Sequence, residues 1–144
     1  MVRAEKLEPS ALLTAMQEGD FYCSSGVTLS EVKFDSSNRI VSLSIEPTKD
    51  ATYTTRFIGT RKDYERKSVP RLAPDGKPMR ATRVYSQDIG QVLATDTSLT
   101  PSYQLKGDEL YVRAEVTSSL DHPDPSFKDQ KKQAWSQPVG WEEK

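Results

Sequence analysis

Within Arg39–Glu46 apolar and polar residues alternate from Val41 onward, with Val41, Leu43 and Ile45 on one side and Ser42, Ser44 and Glu46 on the other. A period of two belongs to an extended strand with one buried face, and no helix keeps those three apolar residues together. Similar short runs recur at Phe21–Ser24, Val27–Phe34, Ala51–Gly59, Gln91–Thr95, Glu109–Thr117 and Ala134–Val139. In Val27–Phe34 the apolar residues switch face after Leu29, which predicts a bulge near Ser30-Glu31. Turn-forming sequences such as Asp35-Ser36-Ser37-Asn38 and Lys106-Gly107-Asp108 separate the runs. About seven half-polar strands with no interleaved helices predict a mostly β chain, an antiparallel β-sandwich. The chain of 144 residues suits one such domain and can bury a core without a disulfide or metal staple.

One segment carries helical spacing. Pro9-Ser10 marks its start with Ser10 as the expected N-cap, Ala11–Glu18 follows, and Gly19 supplies a left-handed stop. Leu12, Leu13 and Met16 share one face. So short a helix is not stable alone, so these residues are expected to dock on the sheet or on a partner domain. The charges at Glu5, Lys6 and Glu8 exclude a secretory signal here, and no stretch approaches the ~18 apolar residues of a membrane span. The expected organisation is a docking helix over residues 1–19, a β-sandwich over 20–141 and a tail over 142–144.

Residues 60–87 break the strand rhythm. They hold Pro70, Pro74 and Pro78 with few aliphatic residues, and a long insertion of this kind reads as a functional or disordered loop. The charge is concentrated here as well. From Arg56 to Arg83 there are nine basic and three acidic residues, in a chain whose net charge is −1. Arg61, Lys62, Arg66 and Lys67, then Arg71, Lys77, Arg80 and Arg83, are the candidates for contact with a polyanion or an acidic partner. The plainer reading is a solvated loop. The near-zero net charge argues against a general nucleic-acid binder.

Little in the chain is equipped for chemistry. The single Cys23 excludes an intramolecular disulfide and a multi-cysteine zinc cage, and the single His122 excludes a histidine-rich metal site. Cys23, on the same strand face as Phe21, reads as a small core residue rather than a nucleophile. Asp121-His122-Pro123-Asp124 lacks a calcium-loop pattern and reads as a polar loop within 120–132. There is no Gly-x-Ser-x-Gly elbow and no glycine-rich phosphate loop. Trp135 and Trp141 with Tyr22, Tyr53, Tyr103 and Tyr111 would offer a sugar platform if exposed together, although in a sandwich such residues more often fill the core. Trp135 is expected in the core and Trp141 as a tether.

Three stretches resemble a known family. Leu12–Gly26 (LLTAMQEGDFYCSSG) is similar to the run that leaves the catalytic domain in metal-dependent hydrolases of the polymerase and histidinol phosphatase (PHP) superfamily. Leu110–Val116 (LYVRAEV) and Ala134–Val139 (AWSQPV) resemble the closing strands of the small accessory β-domain that follows it there. Phe57-Ile58-Gly59 is compatible with that pattern, whereas the basic insertion is not part of it. Those hydrolases hold their metals on several His and Asp residues of a barrel, beginning with a His-x-His pair. This chain has neither the histidines nor the length, so no catalytic residue carries over. The resemblance implies a non-catalytic accessory domain without a cofactor. It would pack on a preceding hydrolase domain through Leu12, Leu13, Met16 and Trp141. The alternative is a carbohydrate- or polyanion-binding module. An enzyme in its own right is the weakest of the three readings.

Overall fold

In the structure, a computed structural model that describes residues 1–141, two antiparallel sheets face each other across one apolar layer. The expected tail at 142–144 lies outside the described residues. The chain opens with helix α1 (Pro9–Glu18), followed by strands β1 (Cys23–Ser24), β2 (Leu29–Asp35), β3 (Ile40–Ile45) and β4 (Tyr53–Arg61). Then come β5 (Val69–Leu72), β6 (Pro78–Val84), β7 (Gln91–Asp96), β8 (Ser102–Gln104), β9 (Glu109–Asp121) and β10 (Lys131–Trp135). One sheet has the order β1-β10-β9-β4-β7, the other β2-β3-β8, and β5 and β6 form a separate two-stranded sheet. The expected mostly β, antiparallel sandwich-like fold is what forms.

The core follows from the alternation. Val41, Leu43 and Ile45 of β3 are buried, as are Tyr53, Thr55 and Phe57 of β4 and Val112, Ala114 and Val116 of β9. The rings of Phe57 and Tyr103 stack across the two sheets with centroids 5.5 Å apart. The β2–β3 ladder shifts register between Leu29 and Glu31, where the switch of apolar face predicts a bulge.

The structure also corrects several expectations. Among the described residues the sheets contain ten strands rather than seven, because β8 and the β5–β6 hairpin carry too little apolar alternation to be read from sequence. β9 runs on to Asp121 and β10 begins at Lys131, which shortens the loop expected over 120–132. Helix α1 starts at Pro9 with Glu8 as N-cap and no side-chain cap, so Ser10 lies inside the first turn. Proline suits that first position because it has no N–H to satisfy and its φ is already helical. Gly19 ends the helix as expected, at φ 81°. Ala15 is the one buried residue of α1, whereas Leu12 is half-buried and Leu13 and Met16 are exposed. Cys23 is exposed too, because β1 is a two-residue outer strand and Tyr22 is the residue that packs against the core.

Candidate interaction surfaces

Two surfaces stand out, a cleft beside α1 and the basic hairpin. The cleft forms because the N-terminal segment folds back on the residues after the helix. Val2 bridges Phe21, the Arg3 N–H donates to Asp20 O (2.8 Å), and the Tyr22 N–H donates to Met1 O (2.9 Å). Together with α1, the start of β2 and the segment 137–141, they enclose an open space of about 1220 Å³. Phe21, Val32, Phe34 and Trp141 contribute apolar surface, and Glu18, Asp20, Glu31 and Glu46 contribute carboxylates against, among the described residues, the Arg3 side chain and the Met1 ammonium. Met16 lines this cleft and is 53% exposed, while Trp141 is 57% exposed and also lines a shallow groove with Tyr111, Arg113 and Pro138. Leu13, 60% exposed, does not line it.

The hairpin occupies the middle of the segment expected to be a loop. Val69 pairs with Val84 and Pro70 with Arg83. Its turn is closed by the Ala73 N–H donating to Lys77 O (2.9 Å), with Gly76 at φ 79°. At its root the Asp88 carboxylate accepts from the Glu65 N–H (3.3 Å) and the Ser86 hydroxyl (2.6 Å). The eight candidate cations do not form one patch. Arg61 ends β4 and is ion-paired to Asp108, and the Lys62 N–H donates to Asp108 O (2.7 Å) beside it. Lys77 pairs with Asp75 at the turn (3.3 Å). The Arg83 guanidinium donates to Ser68 Oγ (2.6 Å) and Ser68 O (2.5 Å), holding the chain before β5 against β6. Arg66 lies over the Tyr64 ring at 5.7 Å. Lys67, Arg71 and Arg80 are exposed.

The remaining candidates take structural places. Asp121 binds Lys131 (2.6 Å), and His122 Nδ1 accepts from the Asp124 N–H (3.2 Å). Among the described residues no three His, Cys, Asp or Glu side chains are grouped as a metal site requires. No helix among them is long and apolar enough to cross a membrane. Tyr53 and Tyr103 are buried in the core and Trp135 is half-buried, so the aromatic residues do not assemble into one exposed platform.

Sequence reasoning missed Glu109, the most buried carboxylate, 1% exposed. It accepts from the Tyr103 hydroxyl (2.7 Å), the Lys106 N–H (3.0 Å) and the Gly107 N–H (3.0 Å). That arrangement ties the turn between β8 and β9 to the core, leaving no acceptor position open to a substrate. The available signal was a Lys-Gly-Asp turn followed at once by a glutamate at the head of an apolar strand.

No match is found when the chain is compared with protein-family models, with curated proteins or with solved structures.

Proposed function

We propose that this chain is a non-catalytic accessory β-sandwich that packs beside a PHP-type metal-dependent hydrolase domain and shapes access to it. The reading rests on one observation: α1, the one helix among the described residues, leaves two of its three large apolar side chains, Leu13 and Met16, in solvent, with Trp141 exposed nearby. An eight-to-ten-residue helix gains its stability from tertiary packing, so an apolar face left unused by its own sheet suits a second domain. The motifs at 12–26, 110–116 and 134–139 name that domain by resemblance.

The test has two parts. The encoding reading frame, followed upstream of Met1, should contain a barrel-sized domain with a His-x-His pair. In that longer protein, Leu13→Asp should free the two domains from one another, read as faster proteolysis at the junction. In the 144-residue chain the same change should move Tm by less than about 2 °C, as an exposed position does. A larger fall in the short chain, or an intact junction in the long one, speaks against the reading.

The alternative, a polyanion- or carbohydrate-binding module, draws its support from the cations of the hairpin. Salt-sensitive retention on heparin that is lost on neutralising Arg66 and Lys67 would favour it.

A further inference from the structure

We infer that the β5–β6 hairpin of one copy docks in the cleft of a second copy, adding β6 to the open edge of β2, so that the chain assembles head to tail. The hairpin first shows the need for a partner. Its strands pair only with each other, and a two-stranded hairpin is marginal in water unless something covers it. It nevertheless leaves Val69 and Leu72 60% exposed. Apolar residues interleaved with Arg71, Arg80 and Arg83 fit a surface that is both apolar and acidic, which a simple polyanion is not. Hairpin-to-hairpin pairing is disfavoured because it sets like charges against each other.

The chain carries the complementary surface. The hairpin over 69–84 carries Arg71, Lys77, Arg80 and Arg83 against Asp75, an excess of three positive charges, leaving about four negative charges on the rest. Glu18, Asp20, Glu31 and Glu46 border the cleft, where Val32 and Phe34 supply apolar contact. The cleft also exposes a strand edge with no neighbouring strand, since β2 is outermost in its sheet, and of that edge the Leu29 N–H is taken by the Tyr22 hydroxyl (3.0 Å). Such an edge is a template for another strand, with main-chain hydrogen bonds giving affinity and side chains giving choice. β6 suits it in length, because β2 and β6 are both seven residues long. Beyond Pro78 at its first position, β6 has no proline, whereas Pro70 interrupts the four-residue β5. Hairpin and cleft are different patches, so each contact is heterologous and propagates into rings or filaments unless two copies exchange hairpins reciprocally. Of the residues on which the accessory-domain reading depends, Leu13 stays outside the cleft, whereas Met16 and Trp141 line it.

Sedimentation of the purified chain tests this. Mass should rise with concentration at low salt, with association about tenfold weaker at high salt. A hairpin variant, Arg71→Ser with Arg80→Ser, and a cleft variant, Glu31→Lys with Glu46→Lys, should each stay monomeric. Mixed, they should form a dimer and nothing larger, because one supplies only a working cleft and the other only a working hairpin. Circular dichroism matching the unaltered chain shows that both variants fold. A second hairpin variant, with residues 66–85 replaced by a short Gly/Ser linker, should behave like the first. A wild-type monomer at every concentration overturns the inference. So does assembly that survives loss of the hairpin, or a mixture that stays monomeric. Retention on heparin by a chain that never self-associates would overturn it in favour of a polyanion arm.

Discussion

A carboxylate taken out of water is costly unless its oxygens are met by donors, and Glu109 is met by three. Burial pushes its pKa up, but the hydrogen bonds from the Tyr103 hydroxyl and the Lys106 and Gly107 amides outweigh it and hold the group below its ordinary 4.5. A depressed pKa stabilises the fold above the unfolded value, and this contribution is lost as pH falls through the folded one. Glu109→Gln should therefore cost about 1–3 kcal/mol at neutral pH by urea unfolding. The gap from wild type should narrow below pH 4.5, the group's ordinary pKa. Asp35, Asp88 and Asp96, also held low by hydrogen bonds, titrate in both proteins and cancel from the difference. A gap independent of pH would show that the charge does not matter. On the same bond, burial and the Glu109 carboxylate push the Tyr103 phenol up to about 12. The opposite case is Thr55, whose Oγ1 is buried with no partner among the described residues. Thr55→Val keeps the shape and removes that desolvation cost, so Tm should rise by about 2–4 °C. An unchanged or lower Tm would mean that the hydroxyl is satisfied.

At the scale of elements, β4 and β9 are the central pair, in register from Tyr53↔Ser118 to Thr60↔Tyr111 with a shift before Arg61↔Glu109, and with Arg56 ion-paired across to Glu115. The space beside the ladder is tight at Gly59. A Cβ there would sit 2.5 Å from the Tyr111 carbonyl oxygen and 2.8 Å from Leu93 Cδ1. Leu93 can swing aside but backbone cannot, so Gly59→Ala should force the ladder apart. A loss of about 2–4 kcal/mol is expected, against a few tenths for alanine at an open surface site. Near-normal stability would mean that the strands can separate locally. These two strands were legible because each buries a face, and burial selects the alternation that sequence displays. The hairpin was illegible for the same reason reversed. Neither face of Val69–Leu72 or Pro78–Val84 packs on the sandwich, so nothing selected a period of two, and Pro70 interrupts the first run while Pro78 opens the second. Cys23 failed differently, since a two-residue strand is too short to fix which side faces inward. Glu109 was missed because a charged residue after a turn reads as solvent-facing, and its burial depends on Tyr103, brought close only by the fold.

For the molecule as a whole, the described chain divides into a self-sufficient sandwich and an arm. The apolar layer draws its residues from β2, β3, β4, β8, β9 and β10, together with Val27 and Leu105 beside them, and from none of β5 or β6. The arm's root is fixed independently of its strands, by the Asp88 carboxylate on the Glu65 N–H and by the Gly90 N–H donating to Thr60 Oγ1 (3.0 Å). Replacing residues 66–85 with a short Gly/Ser linker keeps both bonds, removes no core residue and shortens the loop that must be closed. Folding stability should therefore be nearly unchanged, with Tm within about 3 °C of the parent and the same far-ultraviolet circular dichroism per remaining strand residue. A fall of several degrees would mean that the hairpin supports the sandwich, and its exposed apolar residues would then need no second molecule to account for them. If stability holds, what selects the exposed Val69 and Leu72 must lie outside the folded monomer, and an intermolecular contact is the remaining physical reason for them.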